Sequence, residues 1–261
     1  MEEHPIGMFD SGLGGLTVMQ QMMRTLPFED IIYFGDTARL PYGAKSRETV
    51  IRYSLENSDF LTKKNIKLLV VACNTASAHA LEVLQEQLSI PVMGVIGPGA
   101  KSALQTTKNG RIGVLGTKGT INSQSYQKAI SKLDSKAKVF STACPLFVPL
   151  VEEGYANHPA TRLIVNEYLS PLRSQGIDTL LLGCTHYPLL KEAIRFELGD
   201  EVKIVDSAAA CAEEVKQVLL RPRQNRTSRY GFYVSDDPDK FRTLGEVFLG
   251  GPIESVELFR A

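Results

Sequence analysis

Two cysteines carry the first chemical signal. In "LLVVACNTASAH" (68–79) Cys73 closes an apolar run and is followed by Asn74 and Thr75; in "DTLLLGCTHYP" (178–188) Cys184 does the same before Thr185 and His186. A thiol so placed can serve as an acid and, once ionised, as a base or nucleophile. For one such cysteine a small buried hydrophobe is the plain reading. Two, set alike and trailed by capping residues, argue for function. Asn74, Thr75 and Thr185 suit the start of a following helix, whose positive end favours a thiolate. Both thiols are therefore expected to ionise more readily than the ordinary value of about 8.5 allows. Cys144 and Cys211 lack this context and are expected to be structural.

Other residues could assist. "DSGLGGLT" (10–17) follows an apolar run and reads as a tight turn that aims Asp10 and Ser11 at a crevice. It is a poor dinucleotide fingerprint, because Thr17 stands where the third glycine belongs and no acidic residue suits a ribose. "LPYGAKS" (40–46) offers a second backbone nest, in which Pro41 fixes the turn and Gly43, beside Tyr42, lets a ligand approach. His186 lies two residues after Cys184, which favours a chemical role over a structural one. The pair is no zinc site, since nothing else supplies ligands at metal spacing. Glu152 and Glu153 end an apolar stretch before a glycine. They read equally as a solvated helix end or as a carboxylate partner for a thiol or histidine.

The elements that must position these groups alternate regularly. Strands are expected near 5–9, 30–35, 67–72, 91–95, 111–115, 137–141, 178–183 and 201–205, and helices near 14–25, 46–64, 75–88, 98–107, 119–133, 158–174, 187–198 and 207–219. This pattern predicts parallel sheets covered by helices on both faces. The order repeats: "IGMFDSG" (6–12) resembles "IGVLGTK" (112–118), and each cysteine ends the third strand of its half. The expected fold is two similar parallel-sheet α/β domains in pseudo-twofold relation, with a cleft between them. The first domain is residues 1–97 plus 208–261 and the second is 98–207, with "VIGPGAK" (95–101) as the crossing. The tail 232–258 reads as strand, helix and strand.

Bulk properties narrow the function. Lys plus Arg equals Asp plus Glu at 29 each, so there is no electrostatic bias toward nucleic acid or an anionic membrane. No apolar run reaches the roughly 20 residues of a membrane helix. The start "MEEHPIGMFDSG" lacks a secretory pattern, so a cytoplasmic location with reduced thiols is expected.

Six segments in series, "FDSGLGGLTV", "GDTARLPYG", "ACNTAS", "PLFVPLVEEG", "LGCTHYPLL" and "FYVSDDP", resemble the glutamate racemase family over nearly the whole chain. The resemblance implies a cofactor-independent enzyme that interconverts L- and D-glutamate without pyridoxal phosphate or metal and supplies D-glutamate for bacterial peptidoglycan. It implies that Cys73 and Cys184 are acid/base thiols assisted by Asp10, Glu152 and His186. It also implies that Asp10, Ser11, Pro41, Tyr42, Gly43, Asn74, Thr75, Thr185 and His186 bind substrate. Only nine residues precede Asp10, so regulation through the N-terminal extension that some members carry is not expected. The expected partner is small-molecule glutamate, and a homodimer is compatible with the sequence. Three rivals stay open here: a racemase for another amino acid such as aspartate, an amidohydrolase using one cysteine as nucleophile, and a two-lobed amino-acid-binding module.

Overall fold

The computed structural model describes residues 3–219 and 227–259. Its first sheet is built from β1 (Ile6–Asp10), β2 (Ile31–Gly35), β3 (Leu68–Val71), β4 (Val92–Gly94), β9 (Tyr230–Val234) and β10 (Glu257–Leu258), and its second from β5 (Arg111–Gly116), β6 (Lys138–Ala143), β7 (Thr179–Gly183) and β8 (Lys203–Asp206). Every pairing is parallel, in the orders β10-β9-β2-β1-β3-β4 and β6-β5-β7-β8. The run β2-β1-β3-β4 therefore recurs as β6-β5-β7-β8. In both halves the strand that leads to a cysteine pairs with the first strand of that half, so the two thiols occupy equivalent places at carboxyl ends.

Burial on both faces explains the continuous apolar runs. In β1–β3 of the first sheet, Phe9, Phe34, Leu69 and Val71 face one way, into a cluster with Val50, Leu61, Ala80 and Leu84 from α2 (Arg47–Thr62) and α3 (Asn74–Gln87). Their alternate neighbours Met8, Tyr33 and Val70 face the other way, toward α1 (Leu16–Thr25), α10 (Ser207–Val218) and α11 (Pro238–Leu249). In the second sheet Ile112, Val114 and Leu181 pack with α4 (Ile96–Thr106) and α6 (Ser125–Leu133). Leu115, Leu180 and Leu182 share the larger core with α7 (Phe147–Glu152), α8 (Pro159–Arg173) and α9 (Lys191–Leu198). Because that core also holds α1, α10 and α11, the two lobes are joined by apolar packing. No helix among the described residues is long and apolar enough to cross a membrane.

Two expected helices differ. The helix expected over 119–133 is broken into α5 (Lys118–Asn122) and α6, with Gln124 left-handed between them at φ 56°. Serine hydroxyls compete with the helix here: Ser123 donates to the Thr120 carbonyl at 2.6 Å and accepts from the Ser125 N–H at 3.1 Å. The helix expected over 187–198 begins as a 3-10 turn, Tyr187–Leu190, and becomes α-helical only at Lys191. Pro188 disfavours the α conformation at Tyr187, which delays the start.

Candidate active site

The cleft between the lobes gathers both cysteines. From the first lobe come Ser11, the Pro41–Gly43 turn, Cys73, Asn74 and Thr75; from the second come Thr117, Val148, Glu152, Cys184, Thr185 and His186. Asp10 lies just beneath, fully buried. The free space is about 20 Å³, room for about one water.

Cys73 is the N-cap of α3, and its sulfur accepts the Ala76 N–H at 3.4 Å. The Ser11 hydroxyl and the Thr75 N–H also donate to it. These donors favour the thiolate, as the sequence suggests, yet burial and the nearby Asp10 outweigh them and push the thiol up to about 12. Cys184 departs further from expectation. Thr185 and His186 form a turn and no α-helix begins there, so among the described residues the sulfur meets the His186 N–H and, at 3.9 Å, His186 Nδ1. Burial pushes it well up, helped by Cys73, Asp10 and Glu152. The expectation of readily ionised thiols is therefore corrected for both: the docked lobes leave Cys73 and Cys184 only 5% and 7% exposed as residues, which a single strand-to-helix junction does not reveal.

Asp10 fills the turn that follows it. Its Oδ2 accepts the Gly12 N–H at 3.0 Å, and the Gly15 N–H donates to it as well. The backbone donors expected to meet a ligand are thus partly used by the protein itself. Burial nevertheless raises the Asp10 carboxyl above its usual range, with His186 pulling the other way. The Thr185 hydroxyl lies 3.5 Å from Asp10 Oδ1, and the Thr17 hydroxyl donates to the Thr185 carbonyl at 3.0 Å, which ties the lobes at the cleft floor. Gly14 permits this approach: a Cβ there would fall 2.2 Å from Thr185 Oγ1 and 2.4 Å from His186 Nδ1.

His186 Nε2 pairs with Glu152 Oε1 at 2.9 Å. Glu152, the last residue of α7, turns inward, and Glu153 just beyond it faces solvent. Tyr42 is buried, and its hydroxyl is occupied by Asp36 and by Asn57 Nδ2, so its backbone is what it has left to offer a ligand. Arg39 is held by Asp36, Glu56 and Asn57 over the Tyr53 ring. Lys45 lines a separate groove. Among the described residues no Lys or Arg lines the cleft, and no three His, Cys, Asp or Glu side chains gather to hold a metal ion.

Asn74 stands out. Its Oδ1 accepts from the Tyr126 hydroxyl at 2.6 Å, while its Nδ2 is buried without a partner. A buried amide N–H₂ left so is a donor waiting for an acceptor. Thr75 Oγ1 lies 2.9 Å from Thr117 Oγ1 and 3.2 Å from Thr120 Oγ1, a triangle of hydroxyls across the lobes. Thr117, Thr120, Val148 and Tyr126 were not among the sequence candidates. For Thr117 a signal existed: setting "IGMFDSG" on "IGVLGTK" places it opposite Ser11.

A profile of the family described as Asp/Glu/hydantoin racemase matches residues 6–215. Glutamate racemase of Geobacter metallireducens is 55% identical over 256 residues, which is 96% of this chain and 94% of that protein. The crystal structure of a glutamate racemase isoform from Bacillus anthracis superposes with TM-score 0.96 at 44% identity, covering 99% of this chain and 98% of the other. That of Francisella tularensis glutamate racemase in complex with D-glutamate gives 0.93 at 40% identity, with 99% and 98% covered.

Proposed function

The chain belongs to the Asp/Glu/hydantoin racemase family, and from that premise we propose that it is a glutamate racemase using Cys73 and Cys184 as its two bases. The observation that carries this reading is the arrival of two equivalent thiols, one from each lobe, in one small cleft. Racemisation removes the α-proton from one face of the carbon and returns a proton to the other. One base would have to swing around the carbanion, whereas two facing bases need not move. The thiolate of one cysteine takes the α-proton, the electron pair spreads into the α-carboxylate, and the thiol of the other gives its proton to the opposite face.

Burial and the nearby Asp10 keep the Cys73 thiol protonated at neutral pH, so the base must be made when substrate arrives. The substrate ammonium, brought beside the sulfur, favours the thiolate as any near cation does. After each turnover the two sulfurs have exchanged protonation states and must be reset before the next turnover in the same direction. Asp10 beside Cys73, and the His186–Glu152 pair beside Cys184, are the groups placed to move that proton.

Both substrate carboxylates are bound without lysine or arginine. Asn74 Nδ2, Thr75 and Thr185 take the α-carboxylate, joined by Thr117, while Ser11 and the Tyr42–Gly43 backbone take the side-chain carboxylate. A cation there would hold the carboxylate more tightly but would also weaken the neighbouring thiolate as a base. Free space of about 20 Å³ is too little for an amino acid, so the lobes part to admit it. The D-glutamate made serves peptidoglycan synthesis, and the protein works in the cytoplasm.

Circular dichroism on L-glutamate with purified protein and no added cofactor tests the reading. Loss of optical signal to the racemic value is expected, with solvent deuterium at the α-carbon of product in D₂O. Unchanged signal with glutamate, or racemisation of aspartate in its place, would overturn it.

A further inference from the structure

Tyr126 is 1% exposed. It projects from α6 of the second lobe and donates its hydroxyl proton to Asn74 Oδ1 of the first. A phenol has one proton, and in this arrangement it is given to Asn74, with Ser207 beside the phenol as a further polar neighbour. Its ring rests against Gly183, where a Cβ would fall 2.8 Å from Tyr126 Cε2. One side chain therefore touches the residue after Cys73 and the residue before Cys184. The left-handed break at Gln124 opens the helix that aims it there.

An asparagine amide has two orientations, which exchange its oxygen and its N–H₂. With Oδ1 accepting from Tyr126, Nδ2 is the atom left buried and unpaired in the cleft wall. Turned over, the amide would set its oxygen toward an incoming carboxylate, and like partial charges at low dielectric repel strongly. We infer that Tyr126 is a positioning residue for the reaction: its hydroxyl locks the Asn74 amide so that the N–H₂ meets the substrate carboxylate. The inference rests on the racemase reading for its ligand but not for its geometry.

Tyr126→Phe removes the hydroxyl and keeps the ring packed on Gly183. With one hydrogen bond to a charged group lost, kcat/KM for glutamate is expected to fall about tenfold, mostly through KM because the carboxylate is already charged in the ground state. Asn74→Ala is expected to lose a similar factor, and the double variant to be no worse than Asn74→Ala alone. A crystal structure of Tyr126→Phe is expected to show the Asn74 amide turned or in two orientations. Wild-type kcat/KM in Tyr126→Phe, losses that multiply in the double variant, or an Asn74 amide unmoved would each overturn the inference. A wild-type protein that turns over neither enantiomer sinks the racemase reading instead, and the Tyr126→Phe structure then decides the positioning claim alone.

Discussion

Around Cys73 the donors are the opening N–H groups of a 14-residue helix and the Ser11 hydroxyl, with Asp10 as the near acid. Around Cys184 they are one backbone N–H and an imidazole that a glutamate holds from behind. The strands beneath are equivalent in order and register, so the difference is confined to the loops at their carboxyl ends. The repeated scaffold sets two thiols in matched places, and the loops surround each with different donors and acids. Under the proposed two-base reading, a nearly symmetric reaction would run in a site that is not symmetric.

The sharpest way to break the comparison is to remove one sulfur at a time. Cys73→Ala and Cys184→Ala are each expected to lower racemisation by about 10²- to 10⁴-fold, the range for losing a general acid or base. In D₂O each variant should still wash deuterium into one enantiomer, and the two variants into opposite ones. Exchange into the same enantiomer by both would show that the sulfurs do not face each other across the carbon.

Next in size is Gly14→Ala, which pushes directly on Thr185 and His186 beside Cys184. An activity loss of about 10²-fold is expected from the displaced Cys184 turn, with the fold retained. Full activity would mean that this contact between the lobes is not needed in the working enzyme.

Glu152→Gln and Asp10→Asn test whether each acid serves its own sulfur. Enantiomers have equal free energy in water, so kcat/KM must fall equally in the two directions. The effect on kcat, about tenfold for one charge-assisted hydrogen bond lost, is expected to favour one direction for Glu152→Gln and the other for Asp10→Asn. The same bias in both variants would merge the two relays into one.

The smallest effect concerns stability. Unfolded thiols ionise near about 8.5, whereas Cys73 and Cys211 hold their protons up to about 12 and Cys144 and Cys184 are also pushed up by burial. The folded chain binds more protons over that interval, so stability is whole below about pH 8.5 and is lost as pH rises above it. Melting temperature should fall between pH 8.5 and 11, and Cys211→Ala should shallow the slope. An unchanged slope would mean that Cys211 ionises alike folded and unfolded.

Much of this was legible in the chain. The apolar runs placed β1–β8 within a few residues, and the likeness of "IGMFDSG" to "IGVLGTK" pointed to the repeated strand order. Cys73, Asn74 and Thr75 announced a helix start that exists. What stayed hidden depends on how the lobes dock. Burial of the sulfurs, the commitment of Asp10 to its own loop, and the reach of Tyr126 to Asn74 join residues far apart in sequence. Cys184 misled for a nearer reason, since Pro188 sits where it delays the helix that Thr185 would otherwise cap.

The hydroxyls of Thr75, Thr117 and Thr120 have no fixed sense of donation, for any of the three can give or take a proton. Rotating O–H bonds reverses the polarity of the triangle while every heavy atom stays where it is. A receptor that must welcome an object and its reflection gains from a rim of such swivels, because it answers either hand without rebuilding its walls.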